Sequence, residues 1–471
     1  MTSPEAQDTA DVDLRAGSRD VAVARRCFTR AHQAGLAVSL VFAVAVSTRT
    51  GLGLAIAFGG SILGVWWAIS PRSSIARWSA FSAFLVPWLV FRDNSWLTIS
   101  IACTTLLVLA VSAFAAGTEQ SLTNLSVGAI FRRSERRVID RAPARVGSEQ
   151  TIVALIRGVI IAAPIVAVFW ALLASADEVF ADIVDPFIFP FARAALLILI
   201  LPVAIGVARF AVIGRPCAPA GHGRRFGSLE SSVVLSAVAG LFGLFITLRL
   251  TTIGRDLSNA ALRSEVRSGF FQLLWVAALT VVLVLVIRQI SGSPNLDTRL
   301  RRLGLLTIAL AAVIDGLALL RILAYVDETF LSPLRFWSFG FGLWLLIVLG
   351  LAALRVAGVR GSDAWFTVAL VSSWIVFVFA MGALNPDRRI AEHNFANPPT
   401  GEDEWIAIMP LIWLSEDATP TIVENIEILR PMPNDRYVRL RNHICTRPDD
   451  ESWRDVHVSR TAAREAIEDL C

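Results

Sequence analysis

One acidic residue stands inside a long apolar stretch of the sequence. Asp315 lies near the middle of the apolar run 303–324, where an ionisable group is costly unless it is paired or hydrated. A carboxyl group in that position can relay protons, bind an ion or contact a substrate. The alternative is a buried, protonated carboxyl group that is hydrogen-bonded to a neighbouring helix. The sequence leaves both interpretations open.

Three further polar residues lie in apolar runs. Arg321 is six residues after Asp315, so the two side chains leave a helix on nearly opposite faces and are poor partners. Arg321 and Tyr325 are four residues apart, on one helical face close to the outer boundary. They could line a vestibule for an anionic ligand together with Asp327, Glu328 and Arg335. For Arg321, and for Arg157 in an earlier run, we favour a side chain that extends to lipid headgroups.

A short acidic loop suggests a different chemistry. It contains Asp177, Glu178, Asp182 and Asp185. Several carboxylates close together can hold a divalent cation, and polytopic lipid-linked transferases use such residues in outer loops to activate an acceptor. An acidic outer loop is also the ordinary counterpart of basic cytoplasmic loops, and we favour that second interpretation.

The composition excludes several other chemistries. The 43 basic residues are all Arg, so the chain has no P-loop lysine, no lysine Schiff base and no Ser-x-x-Lys nucleophile. Neither the five Cys nor His393, His443 and His457 have metal-ligand spacing. We therefore expect no metal and no cofactor. Cys445 and Cys471 could pair if the C-terminal segment lies in an oxidising compartment.

The composition around these polar candidates is typical of a membrane protein, since 55% of the residues are hydrophobic and 17% are charged. A spanning helix needs about 20 mostly apolar residues. This length predicts an all-α polytopic transmembrane bundle of about eleven spans: 33–48, 51–69, 78–92, 95–116, 151–173, 187–212, 230–250, 270–288, 303–324, 336–354 and 364–384.

The loops between the predicted spans are alternately rich and poor in arginine, which predicts the orientation of the chain in the membrane. The positive-inside rule places residues 1–32 in the cytoplasm as a disordered tail, ahead of a transmembrane domain at 33–384. An odd number of spans then places 385–471 outside the cell, and a miscount by one would reverse that side. Because the arginines face lipid, we expect a bilayer and no nucleic acid as partner. The basic loop 131–145 or the segment 385–471 could bind a protein, although a solvated loop is the simpler interpretation of 131–145.

Several short motifs occur in a recognisable order along the chain. They are Ser175–Phe180, Ala261–Leu274, Leu319–Tyr325, Asn385-Pro386-Asp387 and Leu414–Pro420. With them, residues 35–425 resemble a bacterial multi-pass membrane family of unknown function. The resemblance implies a plasma-membrane helical fold and brings no activity. The chain departs from the family pattern at Asp315, where a small or apolar residue is usual, and in the loop before Phe270, which lacks Tyr.

Three functions remain open from the sequence. The favoured one is a non-enzymatic component of the plasma membrane, either a permease-like carrier or a scaffold for envelope or signalling assemblies. The second is a membrane-embedded transferase that uses the carboxylates of 177–185. The third is an envelope sensor that acts through its C-terminal segment.

Overall fold

The computed structural model describes a subset of the 471 residues. The described residues are 37–38, 40–41, 44–45, 50–68, 82–117, 148–177, 180, 227–253, 270–290, 297–328, 330–359, 364–397, 411–429, 434–446, 453–468 and 470–471. Within these ranges the secondary structure is helical and contains no strand. The predicted all-α class is therefore confirmed for the part of the chain that is described.

Thirteen α-helices lie in the described ranges. The first six are α1 (Leu52–Ala68), α2 (Trp88–Phe91), α3 (Ser95–Gly117), α4 (Ser148–Ala176), α5 (Ser228–Ile253) and α6 (Phe270–Ile290). The next three are α7 (Thr298–Glu328), α8 (Pro333–Ala357) and α9 (Ala364–Leu384). The last four are α10 (Pro386–Ala396), α11 (Thr419–Asn425), α12 (Asn434–Cys445) and α13 (Val458–Ile467). Short 3-10 helices occupy Ala83–Leu85, Glu416–Ala418, Ile426–Leu429 and Trp453–Asp455.

Six of the described helices, α4 to α9, are long and apolar enough to cross a bilayer. They coincide with the spans predicted from 151 to 173 and from 230 onward. The apolar stretches Leu52–Gly64 of α1 and Ser95–Val108 of α3 are shorter. The predicted span 187–212 lies outside the described residues, and 33–48 is described only in part. Eleven spans therefore stay a prediction.

The predicted span 78–92 needs correction over its described part. Instead of one helix, the structure has the 3-10 turn Ala83–Leu85, a turn at Val86 and Pro87, and the four-residue helix α2. Pro87 has no N–H to donate within a helix, and its ring disfavours a continuous α-helix through this point. The apolar run was long enough, but Pro87 interrupts it.

Contacts divide the chain into two compact units. Unit 1 contains 1–123 and 375–471, and unit 2 contains 124–374. The division falls within α9, so the first half of that helix belongs to unit 2 and the second half to unit 1. This grouping follows contacts, whereas the domains at 1–32, 33–384 and 385–471 were drawn by composition.

Unit 2 is built around α7. This helix packs against α5, α6 and α8, while α4 packs against α5 and α6. The core contains ring pairs in edge-to-face geometry, with centroids 5.3 Å apart for Phe169 and Phe242 and also for Phe180 and Phe245. Gly358 ends α8 in the left-handed conformation, which glycine adopts without a Cβ clash.

Unit 1 joins the apolar helices α1 and α3 to the C-terminal helices. Within it, α13 packs on α2 and α11, and α1 packs on the 3-10 turn Trp453–Asp455. A backbone hydrogen bond of 3.0 Å from Leu52 to Val456 fixes that contact. A disulfide joins Cys445 to Cys471, whose Cα atoms are 5.9 Å apart. The pairing that the sequence left open is therefore present.

Candidate functional site

Unit 1 contains a buried group of polar side chains beside the start of α3 and the end of α9. The linker Arg92-Asp93-Asn94 leads into α3, and Asn385-Pro386-Asp387 follows α9. Ser415, Asp417, Ser459 and Arg460 come from the C-terminal segment. The group includes three aspartates, Asp93, Asp387 and Asp417, which we call the aspartate cluster.

The turn Asn385-Pro386 sets the position of Asp387. Asn385 has φ of 51° and caps α10, accepting a hydrogen bond from the Arg388 N–H, and Pro386 occupies the first turn. Asparagine tolerates the left-handed region better than most residues, and proline suits the start of a helix. The motif therefore ends α9 and caps α10.

Three donors converge on the Asp387 carboxylate. The Asn94 Nδ2 donates to Oδ1 over 2.7 Å, and the Ser415 backbone N–H donates to Oδ2 over 3.0 Å. The Ser415 hydroxyl also donates to Oδ2. Burial raises the pKa of Asp387, and these hydrogen bonds act in the opposite direction. Because Asn94 Oδ1 accepts from the Leu97 N–H, the orientation of the Asn94 amide is fixed.

Asp417 has a different environment. Its Oδ2 accepts from the Asp93 N–H over 2.8 Å, and its Oδ1 lies 3.6 Å from Arg92 Nη1 and in contact with the Ser459 hydroxyl. Burial raises the pKa of Asp417 to about 6, against the lowering effects of the Ser459 hydrogen bond and the Arg92 charge. Asp417 can therefore change its charge near neutral pH.

The Ser459 and Ser415 hydroxyl groups beside Asp417 each contact two acceptor oxygens but have one hydrogen to donate. The Ser459 hydroxyl contacts both Asp417 Oδ1 and the Phe91 carbonyl, the latter at 2.7 Å, yet it has one hydrogen. The Ser415 hydroxyl contacts Asp387 Oδ2 and, at 3.3 Å, Asp417 Oδ2. A proton on Asp417 resolves the first conflict, because Asp417 can then donate to Ser459, which donates to Phe91.

Arg460 joins the C-terminal helix α13 to the starts of the apolar helices α1 and α3. Its Nη2 lies 2.8 Å from Asp93 Oδ1, and its Nη1 donates to the Thr50 carbonyl over 2.9 Å. Thr50 precedes α1 and Asp93 precedes α3. In unit 1 the N-terminal ends of α1 and α3 and the C-terminal end of α9 therefore meet the C-terminal segment on one side.

A cavity of about 300 Å³ adjoins this cluster. Its walls come from α2, the start of α10, α11 and α13. The lining residues are Trp88, Phe91, Arg92, Asn385, Arg388, Glu416, Asp417, Pro420, Thr421, Glu424, Val458, Ser459 and Ala462.

In unit 2, Asp177 forms ion pairs with two arginines. Arg249 Nη1 lies 3.0 Å and Arg321 Nη2 lies 3.4 Å from Asp177 Oδ2. Arg321 also donates to the Ala176 carbonyl over 2.9 Å, and the Phe180 N–H donates to Asp177 Oδ1 over 3.2 Å. The three side chains join the end of α4 to α5 and α7.

Asp315 lies on the buried face of α7, between Ala311 and Ala318, each of which is 0% exposed. Asp315 itself is 0% exposed, and neither of its carboxyl oxygens has a hydrogen-bond partner among the described residues. It makes no contact with Arg321 that would pair the two charges, as the helical spacing predicted.

The other predicted site residues have different environments, and some of them are not described. Arg157 is exposed on α4, and Tyr325 is in α7 with a side chain that is not described. Arg335 lies over the Phe330 ring, 4.8 Å from its centroid. Glu178, Asp182, Asp185 and the loop 131–145 lie outside the described residues, as do the side chains of Asp327 and Glu328.

Several residues of these sites were not predicted as such. Arg249 is an arginine in an apolar run, so the rule that selected Arg321 could have selected it too. Asp387 and Asp417 lie within the quoted motifs, but Arg92, Asp93 and Arg460 carry no local signal. The motifs meet in pairs: Leu414–Pro420 contacts Asn385-Pro386-Asp387 through Ser415, and Ser175–Phe180 contacts Leu319–Tyr325 through Asp177.

Apolar helices of spanning length and the buried charges between them define a helical integral membrane protein. Its chain belongs to the family DUF4153, a domain of unknown function, whose model matches residues 79–425. No curated protein and no solved structure matches the chain. The family resemblance seen in the sequence is confirmed, and the match covers both candidate sites except the helices after residue 425.

Proposed function

We propose that this protein is a permease-like carrier of the bacterial plasma membrane in which Asp315 binds a proton or another cation during transport. The N-terminus is cytoplasmic and the C-terminal segment extracytoplasmic in this proposal. The observation that carries it is the complete burial of Asp315 without a hydrogen-bond partner among the described residues.

The position of Asp315 is costly for a purely structural residue. An ionised carboxylate that is buried without a partner is far less favourable than one in water, and intramembrane acids commonly mark ion or proton pathways. The helix that carries it, α7, packs on three neighbours. A rearrangement of those helices that admitted water would let Asp315 exchange its cation.

The Asp177 ion pairs fit the role of an outer closure in this carrier. Arg321 is six residues from Asp315 on α7, which is about 9 Å along the helix axis. Its contact with Asp177 ties the outer end of α7 to α4, and Arg249 adds α5. Separating these charges would loosen the helix ends around the path to Asp315.

Stability and transport together test this role. The full chain in liposomes is screened with pools of small solutes for solute-dependent proton movement across an imposed pH gradient. Asp315→Asn should abolish the movement, whereas Asp315→Glu should keep part of it. Asp315→Leu should raise the melting temperature, because it removes an unpartnered polar group worth about 1–3 kcal/mol. A lower melting temperature for Asp315→Leu, or transport that persists in Asp315→Asn, would contradict the proposal.

An envelope sensor that acts through the C-terminal segment is a second candidate. The observation that favours it is the pKa of about 6 of Asp417. Asp417 belongs to the aspartate cluster, which holds that segment. Deletion of 403–471 should then be damaging, while Asp315→Asn should be tolerated. A transferase predicts instead that Asp177→Ala or Asp182→Ala abolishes function and that Asp315→Asn is harmless.

A further inference from the structure

We propose that the cavity of unit 1 binds the headgroup of a zwitterionic phospholipid, with a phosphate and a primary amine. This inference is independent of the carrier proposal because it concerns other residues. The volume of about 300 Å³ is at the lower end of small-ligand pockets and suits a headgroup without its acyl chains.

The cavity lies where membrane helices end. Trp88, Phe91 and Arg92 come shortly before α3, and Asn385 directly follows α9, which is long enough to span a bilayer. Phe91, which lines the cavity, is 47% exposed, and its neighbours along the chain Phe84 and Trp96 are 64% and 47% exposed. Exposed aromatic residues at a helix end are typical of the membrane–water interface, which is the level of the headgroups.

The cavity offers groups for a phosphate. Arg92 and Arg388 both line it, and guanidinium groups bind phosphate oxygens in paired hydrogen bonds. Arg92 is positioned by a 3.1 Å hydrogen bond from Nε to the Gly382 carbonyl and lies 5.7 Å from the Trp88 ring centroid. The Arg388 side chain is 61% exposed at the rim.

The same cavity offers groups for an amine. Glu416 and Glu424 line it, as do Trp88 and Phe91, and ammonium groups are attracted both to carboxylates and to aromatic faces. Asp417 also lines the cavity, and its Oδ2 already accepts a hydrogen bond from the Asp93 N–H. Two arginines and two glutamates in one small cavity favour a zwitterion over an anion.

Matched variants of the full chain test the site. The purified, delipidated protein is titrated in detergent with dioctanoyl phosphatidylethanolamine and with dioctanoyl phosphatidylglycerol, and bound lipid is counted by native mass spectrometry. Arg388→Gln should weaken binding of the ethanolamine lipid about tenfold, a loss of about 1.4 kcal/mol. Arg389→Gln is the control, because Arg389 is equally exposed and pairs with the same Glu392 but does not line the cavity.

A second pair of variants tests the volume. Ala462 is exposed and lines the cavity, so Ala462→Leu narrows its mouth and should weaken binding, whereas Thr461→Leu, at an equally exposed position outside the lining, should leave it unchanged. Glu424→Gln should weaken the ethanolamine lipid more than the glycerol lipid. Equal affinity of the wild type for both lipids, or unchanged binding in Ala462→Leu, would overturn the proposal. Equal competition by soluble glycerophosphoethanolamine would overturn the assignment to a membrane lipid.

Discussion

Replacing Asp417 with asparagine should stabilise unit 1 at neutral pH. An asparagine side chain can keep the contacts of the protonated acid, since its oxygen can accept from the Asp93 N–H and its amide can donate to Ser459. The charge that is buried above pH 6 disappears. Asp387→Asn should do the opposite, because three donors point at the Asp387 carboxylate and either orientation of an amide would face one of them.

The size of the effect follows from the pKa of Asp417, which burial raises from 3.8 to about 6. The folded state therefore favours the protonated acid, and this contribution to stability is complete below pH 3.8 and lost as the pH rises through 6. The whole difference is about 3 kcal/mol at about 1.36 kcal/mol for each pH unit. About half of it falls between pH 5 and pH 7, which changes a local opening equilibrium about tenfold.

Hydrogen exchange measured by mass spectrometry provides the assay. Peptides covering 411–425 and 456–463 are followed at pH 5 and pH 7, with rates corrected for intrinsic exchange. Wild-type protection should fall about tenfold more than that of Asp417→Asn over this interval, and Asp387→Asn should lose about 2 kcal/mol of stability at pH 7. If Asp417→Asn lowered protection at pH 7 as much as Asp387→Asn does, the assignment of a protonated Asp417 would be refuted.

Three further predictions concern unit 1: its packing, its disulfide and the compartment of its C-terminal segment. Gly382→Ala should cost about 1–3 kcal/mol in thermal unfolding, since a Cβ there would lie 2.7 Å from the Trp88 ring; Gly240→Ala, with open space around it, should cost nothing, and equal melting temperatures would contradict the close contact. Cys445→Ser should cost about 3.5 kcal/mol, because the disulfide closes a separation of 26 residues, whereas Cys103→Ser, at an exposed free cysteine, should be neutral. In intact cells an impermeant thiol reagent should label Cys445 and Cys471 only after reduction. Labelling that requires permeabilisation would place the segment in the cytoplasm.

The membrane helices and the cluster differ in how far the sequence could predict them. Helices α4 to α9 follow from apolar runs of about 20 residues, which is a local property. Asp315 was conspicuous for the same reason, as a charge within such a run. Asp93 and Arg460 are 367 residues apart and Asp93 and Asp417 are 324 apart, so their contact depends on the tertiary fold. Pro87 itself indicates an interruption of the helix, but the apolar composition of 78–92 favoured the prediction of one continuous span.

The bonds of Arg460 have a consequence for the order of biosynthesis. Its partner Thr50 is 410 residues earlier in the chain, and a ribosome that adds about 5–20 residues per second needs roughly 20–80 s to cover that distance. Thr50 and Asp93 thus leave the ribosome long before Arg460 is added to the chain. The Asp93 carboxylate gains its arginine partner only after Arg460 has been added, so a chain terminated before Arg460 would display an uncompensated Asp93 to quality-control proteases.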